Sequence, residues 1–309
     1  MKTNGMADER LLRKRAFLYL GFMCGFLFVG WLYSIIFLDS SGSSLYGGPL
    51  LLFSFFPLLS SVLTRMITKD KSSWLLRPHF RKNWKTYLAA GFVPGFLIFM
   101  GAVLYFSIFP HHLDVSAKRL IETYGRFGVP SDLPHTVNSI IRIGLVGVLV
   151  SPFALPIVLF GLGEELGWRG YFLPILLKLM DQQKAVLLTG LLWGLCHAPL
   201  IYFGLNYGSN YWGAPYSGIV MMTLVGVVLN AWLSYVTIKT ESIIPAGILH
   251  GAVNLIGEFP AMAATAEINP LLGPNPTGII GMSLLLLGAV VVSRMMAEQT
   301  EELIVSTNI

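Results

Sequence analysis

The chain has 309 residues, 54% of them hydrophobic and only 12% charged, with a mean hydropathy of +0.68. A soluble domain averages about 45–50% apolar and about 25% charged residues, so this composition excludes a soluble globular fold and fits a chain whose outer surface meets lipid. The net charge of +5 comes from short basic segments between apolar runs, which excludes a nucleic-acid partner; the two cysteines, Cys24 and Cys196, imply no disulfide framework.

A helix needs about 20 apolar residues to cross a bilayer. The apolar runs predict spans near 16–38, 48–64, 86–109, 139–163, 185–203, 217–238, 243–257 and 277–293. The first follows MKTNGMADERLLRKR; it is too long for a signal segment and lacks a small-residue cleavage site, so it reads as a retained helix. After the third span comes a long polar connection, 110–138, whose SAKRLIETYGRFG could form an interfacial helix. The fourth region is interrupted by Pro152, Pro156, Gly161, Gly163, Gly167 and Gly170, and runs on into a further apolar stretch, 171–177. Such breaks at membrane depth are tolerated where the backbone is buried in protein or lines a cavity. The loop GLNYGSNYWGAPY is uncharged and aromatic, which suits a membrane interface, and AEQTEELIVSTNI reads as a short polar tail.

The expected fold is therefore all-α: a polytopic transmembrane helical bundle of about eight spans. Its organisation reads as 1–137, three N-terminal transmembrane helices with an outer loop; 138–260, a core that carries the chemistry; and 261–309, the last helix and a cytoplasmic tail. Sixteen basic residues fall in the segments that an N-in/C-in topology places in the cytoplasm, against Lys118, Arg119 and Arg126 outside, as the positive-inside rule requires. The bilayer is thus a partner, and the chain reads as a multi-pass integral protein of a prokaryotic cell membrane.

Ionisable groups at membrane depth cost roughly 2.5–3.5 kcal/mol each on insertion scales and mark function by default. Glu164, Glu165 and Arg169 lie in GLGEELGWRGYFLP, His197 in LLWGLCHAPL, and His250 with Asn254 in IPAGILHGAVNL. Residues four apart share a helix face, so Glu165 can pair with Arg169, leaving Glu164 about 100° away as a free carboxylate suited to general-base work. By the same spacing His250 and Asn254 point into one cavity, and Trp193 can pack on His197. Taken singly, Glu165–Arg169 reads as a structural ion pair and each histidine as a packing residue; their joint occurrence with Glu164 favours a site. Cys196 faces away from His197 as a core thiol, Asn230 reads as interhelical glue, Glu258 and Arg142 sit near span ends in structural roles, and the loop histidines have no assigned role.

EELGWR, WGLCH and HGAVN resemble, in order, the EExxxR, FxxxH and HxxxN motifs of the CPBP family, with Trp193 in place of the Phe. That family holds the type II CAAX prenyl endopeptidases and bacteriocin-processing or immunity proteins (Abi). The resemblance covers about 150–258. It implies an intramembrane endopeptidase acting on membrane-associated or lipidated peptides: Glu164 and His197 activate water, His250 and Asn254 stabilise the oxyanion, and Glu165 and Arg169 order the site. It also allows a divalent metal, zinc, on Glu164, His197 and His250, although no HExxH is present, and the metal-free glutamate form ranks first. A non-catalytic immunity or peptide-binding protein is the remaining alternative. A transporter is disfavoured because no inverted repeat is found. The basic residues Lys178 and Lys184 suggest that the site opens toward the cytoplasm.

Overall fold

The structure, a computed structural model, describes residues 2–37, 48–125, 130, 132–265 and 268–307, with side chains described over 8–36, 52–125, 130, 132–265 and 268–298. The main helices are α1 (Lys2–Phe37), α2 (Gly48–Thr68), α3 (Phe80–Ile108), α4 (Lys118–Gly125), α5 (Val137–Val150) and α6 (Leu155–Gly167). A π-helical turn, Trp168–Phe172, leads into α7 (Leu173–Leu179); then come α8 (Gln182–Cys196), α9 (Ala198–Tyr202), α10 (Tyr216–Thr240), α11 (Ile244–Gly257), α12 (Phe259–Met262) and α13 (Ile279–Thr307). Among the described residues the only extended pairing is an isolated bridge between Leu113 and Ala264. The fold is an all-α polytopic bundle.

Among the described residues five helices are long and apolar enough to cross a membrane: Asp8–Ile36, Phe80–Ile108, Gln182–Tyr202, Tyr216–Thr240 and Ile279–Glu298. A sixth span forms if Val137–Phe153 and Leu155–Leu179, bent by 58° at their junction, count as one. The other two segments in the expected eight are the shorter helices Leu52–Thr68 and the 14-residue α11. The bend has a local cause, since Pro152 sits in the tight turn that ends α5 and Pro156 in the first turn of α6, where neither can donate to a continuing ladder. The expected interfacial helix appears as α4, with Leu120 and Ile121 buried; Arg126 lies outside the described residues. The C-terminal segment differs from the expected polar tail, because α13 runs on to Thr307. Ala, Glu, Gln and Leu in this segment are good helix formers, which outweighs its polarity.

Two small-residue seams set the positions of the helices. A Cβ on Gly251 would stand 2.7 Å from Val158 Cα, and one on Gly161 3.1 Å from His250 Cβ, so α6 and α11 touch backbone to backbone. Gly194 and Gly226 do the same for α8 and α10, where a Cβ on Gly194 would stand 2.6 Å from Thr223 Cα. Without a hydrophobic drive between helices in lipid, such close van der Waals packing holds the bundle.

The two ends of the bundle differ in charge. At one end Arg15 meets Asp70 at 3.4 Å, the Ile243 N–H donates to the Leu75 carbonyl at 2.9 Å, and Gln183 Nε2 donates to the Ser293 carbonyl at 3.0 Å. These contacts gather the basic segments around Arg15, 65–85, Lys178–Lys184 and Lys239 at that end. At the opposite end, Asp114 N–H donates to the Ala263 carbonyl at 3.0 Å and Tyr207 Oη to the Thr277 carbonyl at 2.9 Å, joining loops with few charges.

Candidate active site

The acidic motif lies where α6 passes into the π turn. There the Leu173 N–H reaches back five residues to the Trp168 carbonyl. Such wide turns are rare and recur at functional sites. Glu165 and Arg169 pair through Nη1 and Oε1 at 2.9 Å, and both are fully buried. Arg169 Nε also donates to Asn230 Oδ1 at 3.0 Å, and its guanidinium lies 4.3 Å over the Trp193 ring. Asn230 in turn donates through Nδ2 to the Val186 carbonyl and accepts from Ser234 Oγ at 3.1 Å. The ion pair is thus braced by α8 and α10 together. Asn230, read from sequence as interhelical glue, also holds the arginine directly; a hydrogen bond between residues 61 apart leaves no periodic trace in the sequence.

His250 places Nδ1 2.8 Å from Glu165 Oε1. The carboxylate is paired with Arg169 and can only accept, so the ring proton sits on Nδ1 and Nε2 is left for the cavity. His250 is therefore tied into the buried Glu165–Arg169 pair, a contact that i,i+4 reasoning did not supply.

Glu164 points the other way. Its Oε2 accepts the Trp193 indole N–H at 2.9 Å, and the carboxylate is only half-buried. His197 stands at the one-residue break between α8 and α9, where Pro199 lacks the N–H that would continue the helix. Its Nδ1 lies 2.9 Å from the Trp193 carbonyl. A carbonyl accepts only, so in the neutral ring Nδ1 carries the proton and the Nε2 lone pair is free. Trp193 thus does more than pack on His197 with ring centroids 5.8 Å apart: its carbonyl sets the tautomer of the histidine while its indole orients the glutamate.

Glu164, His197, His250 and Asn254 line one open cavity of about 1270 Å³, walled by apolar side chains such as Phe160, Met222 and Leu229. Asn254 is exposed to it and has no hydrogen-bond partner among the described residues. A smaller cavity of about 370 Å³ lies on the far side of Glu164 and His197, against Met23, Leu27, Phe53 and Pro57. Cys196 lines this smaller cavity beside His197, so it does not face away as expected: the break after α8 brings the two neighbours to one wall.

Away from Lys178 and Lys184 the lining of the large cavity includes Asn206, Glu258, Pro276 and Thr277. Glu258 accepts from Asn206 Nδ2 at 3.2 Å and Asn275 Nδ2 at 3.3 Å, joining three loops beside the cavity. Its place was legible, since Glu258 follows Asn254 by four residues and so shares the face of His250 and Asn254. Arg142, by contrast, is exposed and away from the site.

Glu164, His197 and His250 are the residues a metal would use. One nitrogen of His250 is held by Glu165 and one oxygen of Glu164 by Trp193, and among the described residues no three His, Cys, Asp or Glu groups converge enough to hold a metal ion.

The family described as "Type II CAAX prenyl endopeptidase Rce1-like" matches residues 146–256, a segment that contains Glu164, Glu165, Arg169, His197, His250 and Asn254. A protein named CAAX prenyl protease 2, from Methanococcus maripaludis, is 32% identical over 111 residues, covering 34% of this chain and 39% of that protein. The chain therefore spans about two-fifths of the length of this relative. With the matching segment forming the core of a helical bundle that crosses the membrane several times, residues 146–256 of this integral multi-pass membrane protein are similar to the Rce1-like CAAX prenyl endopeptidase family.

Proposed function

We propose that this protein is an intramembrane endopeptidase for membrane-associated or lipidated peptides, with Glu164 and His197 activating the attacking water. The observation that carries this reading is the arrangement around Trp193: a half-buried carboxylate and a histidine with its Nε2 lone pair free face the same cavity. A water between them gives its proton to Glu164, and the resulting hydroxide attacks the scissile carbonyl carbon. The oxyanion is met by the unpaired amide of Asn254 and by Nε2 of His250, which donates when both ring nitrogens carry protons and Nδ1–H stays on Glu165. As the C–N bond breaks, the proton held by Glu164 passes to the leaving amine. Glu165 and Arg169 act through His250 and so position it. The bilayer and a peptide are the partners this reading requires.

The test is hydrolysis of membrane-anchored peptides by protein purified into lipid, comparing wild type with Glu164→Gln and His197→Ala. General-base catalysis contributes about 10²–10⁴-fold, so kcat/KM should fall by that order in each variant while the thermal melt stays with wild type. Unchanged turnover in a well-folded Glu164→Gln protein overturns the assignment. Loss of wild-type activity on chelation, restored by zinc, replaces the glutamate reaction with a metal-assisted one on the same residues.

A further inference from the structure

The larger and the smaller cavity meet inside the bundle, and the residues they share mark the junction. Among the described residues the two have four lining residues in common: Glu164, Trp193, His197 and Ser54. The first three are the groups that the proteolytic reading uses to activate water. Ser54 belongs to α2 and lies outside the segment 146–256 that matches the endopeptidase family.

Contact between α2 and α6 fixes the place of Ser54. A Cβ on Gly163 would stand 3.3 Å from the Ser54 carbonyl oxygen, and one on Gly167 would run into Pro57, so the two backbones touch on both sides of Glu164 and Glu165. Further along α2, Ser60 and Ser61 have no exposed surface, and their hydroxyls donate to the Phe56 and Leu58 carbonyls at 2.8 and 2.7 Å. Ser54, by contrast, is half-buried and lines both cavities. A water held inside a protein makes about three hydrogen bonds. Most of the remaining wall of the smaller cavity is apolar, with Met23, Leu27, Phe53, Pro57 and Leu200, so the polar groups able to hold a water gather at the junction.

We propose that Ser54 is a further catalytic residue, whose hydroxyl makes the third hydrogen bond to the attacking water. Glu164 and the Nε2 lone pair of His197 accept the two hydrogens of that water, and the Ser54 hydroxyl donates to one lone pair of its oxygen. The remaining lone pair is left to attack the scissile carbonyl carbon. A hydroxyl has one donor and two acceptor sites and turns about its C–O bond, so a contact made within the fold does not take Ser54 out of this role. The role rests on the proteolytic reading above.

The test is turnover of an internally quenched, lipid-anchored peptide, chosen from those that wild type cleaves, by the full chain in lipid. Ser54→Ala should lower kcat about tenfold, the order expected for one hydrogen bond to the reacting water, with KM and the thermal melt unchanged. Ser54→Thr, which restores the hydroxyl, should recover most of the rate. Ser60→Ala, which removes a hydroxyl bonded within α2, should leave kcat at the wild-type value. A wild-type kcat in Ser54→Ala beside an inactive Glu164→Gln overturns the role of Ser54 and leaves the proteolytic reading intact. A fall in kcat that Ser54→Thr does not restore, or that Ser60→Ala shows equally, makes Ser54 a packing residue and overturns its role as well. Full activity of Glu164→Gln removes the proteolytic reading itself, and the role of Ser54 with it.

Discussion

Two carboxylates adjacent in sequence, Glu164 and Glu165, have unlike surroundings. Glu165 has no exposed surface and is held by a guanidinium and an imidazole, while Glu164 meets one indole N–H and open space. Their separation follows from the 100° step of a helix, which is why the division was legible from EELGWR alone. The partners of Glu165 beyond Arg169 were not legible, because His250 and Asn230 come from helices whose pairing no local spacing encodes. Removing one member of a buried ion pair costs about 3–5 kcal/mol, because the other charge is left without compensation. Arg169→Met should therefore lower the melting temperature sharply. Arg169→Met combined with Glu165→Leu should recover much of the loss but no activity, since His250 then lacks its anchor. Melts of the single and double variants, read beside peptide cleavage, check this.

At the scale of elements, backbone contact between helices is what places the site. The α6–α11 seam sets His250 against Glu165, and Gly251 is where an added Cβ would come nearest to the facing backbone. Gly251→Ala would drive a methyl group onto the Val158 backbone, and overpacking of this kind costs about 1–3 kcal/mol. The expected result is a lower melt together with slower cleavage, whereas Gly21→Ala, where a Cβ meets nothing within 4 Å, should leave both unchanged. A second tie joins α1 to the turn after α2. Burial works against the Asp70 carboxylate, but hydrogen bonds from Ser72 and the nearby Arg15 and Arg65 charges outweigh it and hold its pKa below the ordinary value. A carboxyl depressed in the folded state stabilises above its unfolded pKa, about 3.9, and that stabilisation is lost as pH falls through the folded value. Asp70→Asn should thus melt below wild type near pH 7, with the gap closing as pH drops beneath about 3.9, which a pH series of melts measures. The seams were only partly legible: glycines in an apolar run signal close approach, but not which helix approaches.

Across the whole molecule, the all-α membrane bundle was legible because lipid demands apolar length and pairs every backbone group within a helix. The three motifs stood out for the same reason, as polar residues in segments that penalise them. The smaller and larger cavities meet at Glu164 and His197, which line both. For inhibitor chemistry, this junction favours a two-armed compound. A hydrated ketone or similar tetrahedral mimic would sit between Glu164 and His197, a slim hydrocarbon arm would fill the space beside Met23 and Phe53, and a longer polar arm would extend toward Asn254 and Asn206. On the proteolytic reading, selectivity would then come from the angle between the arms.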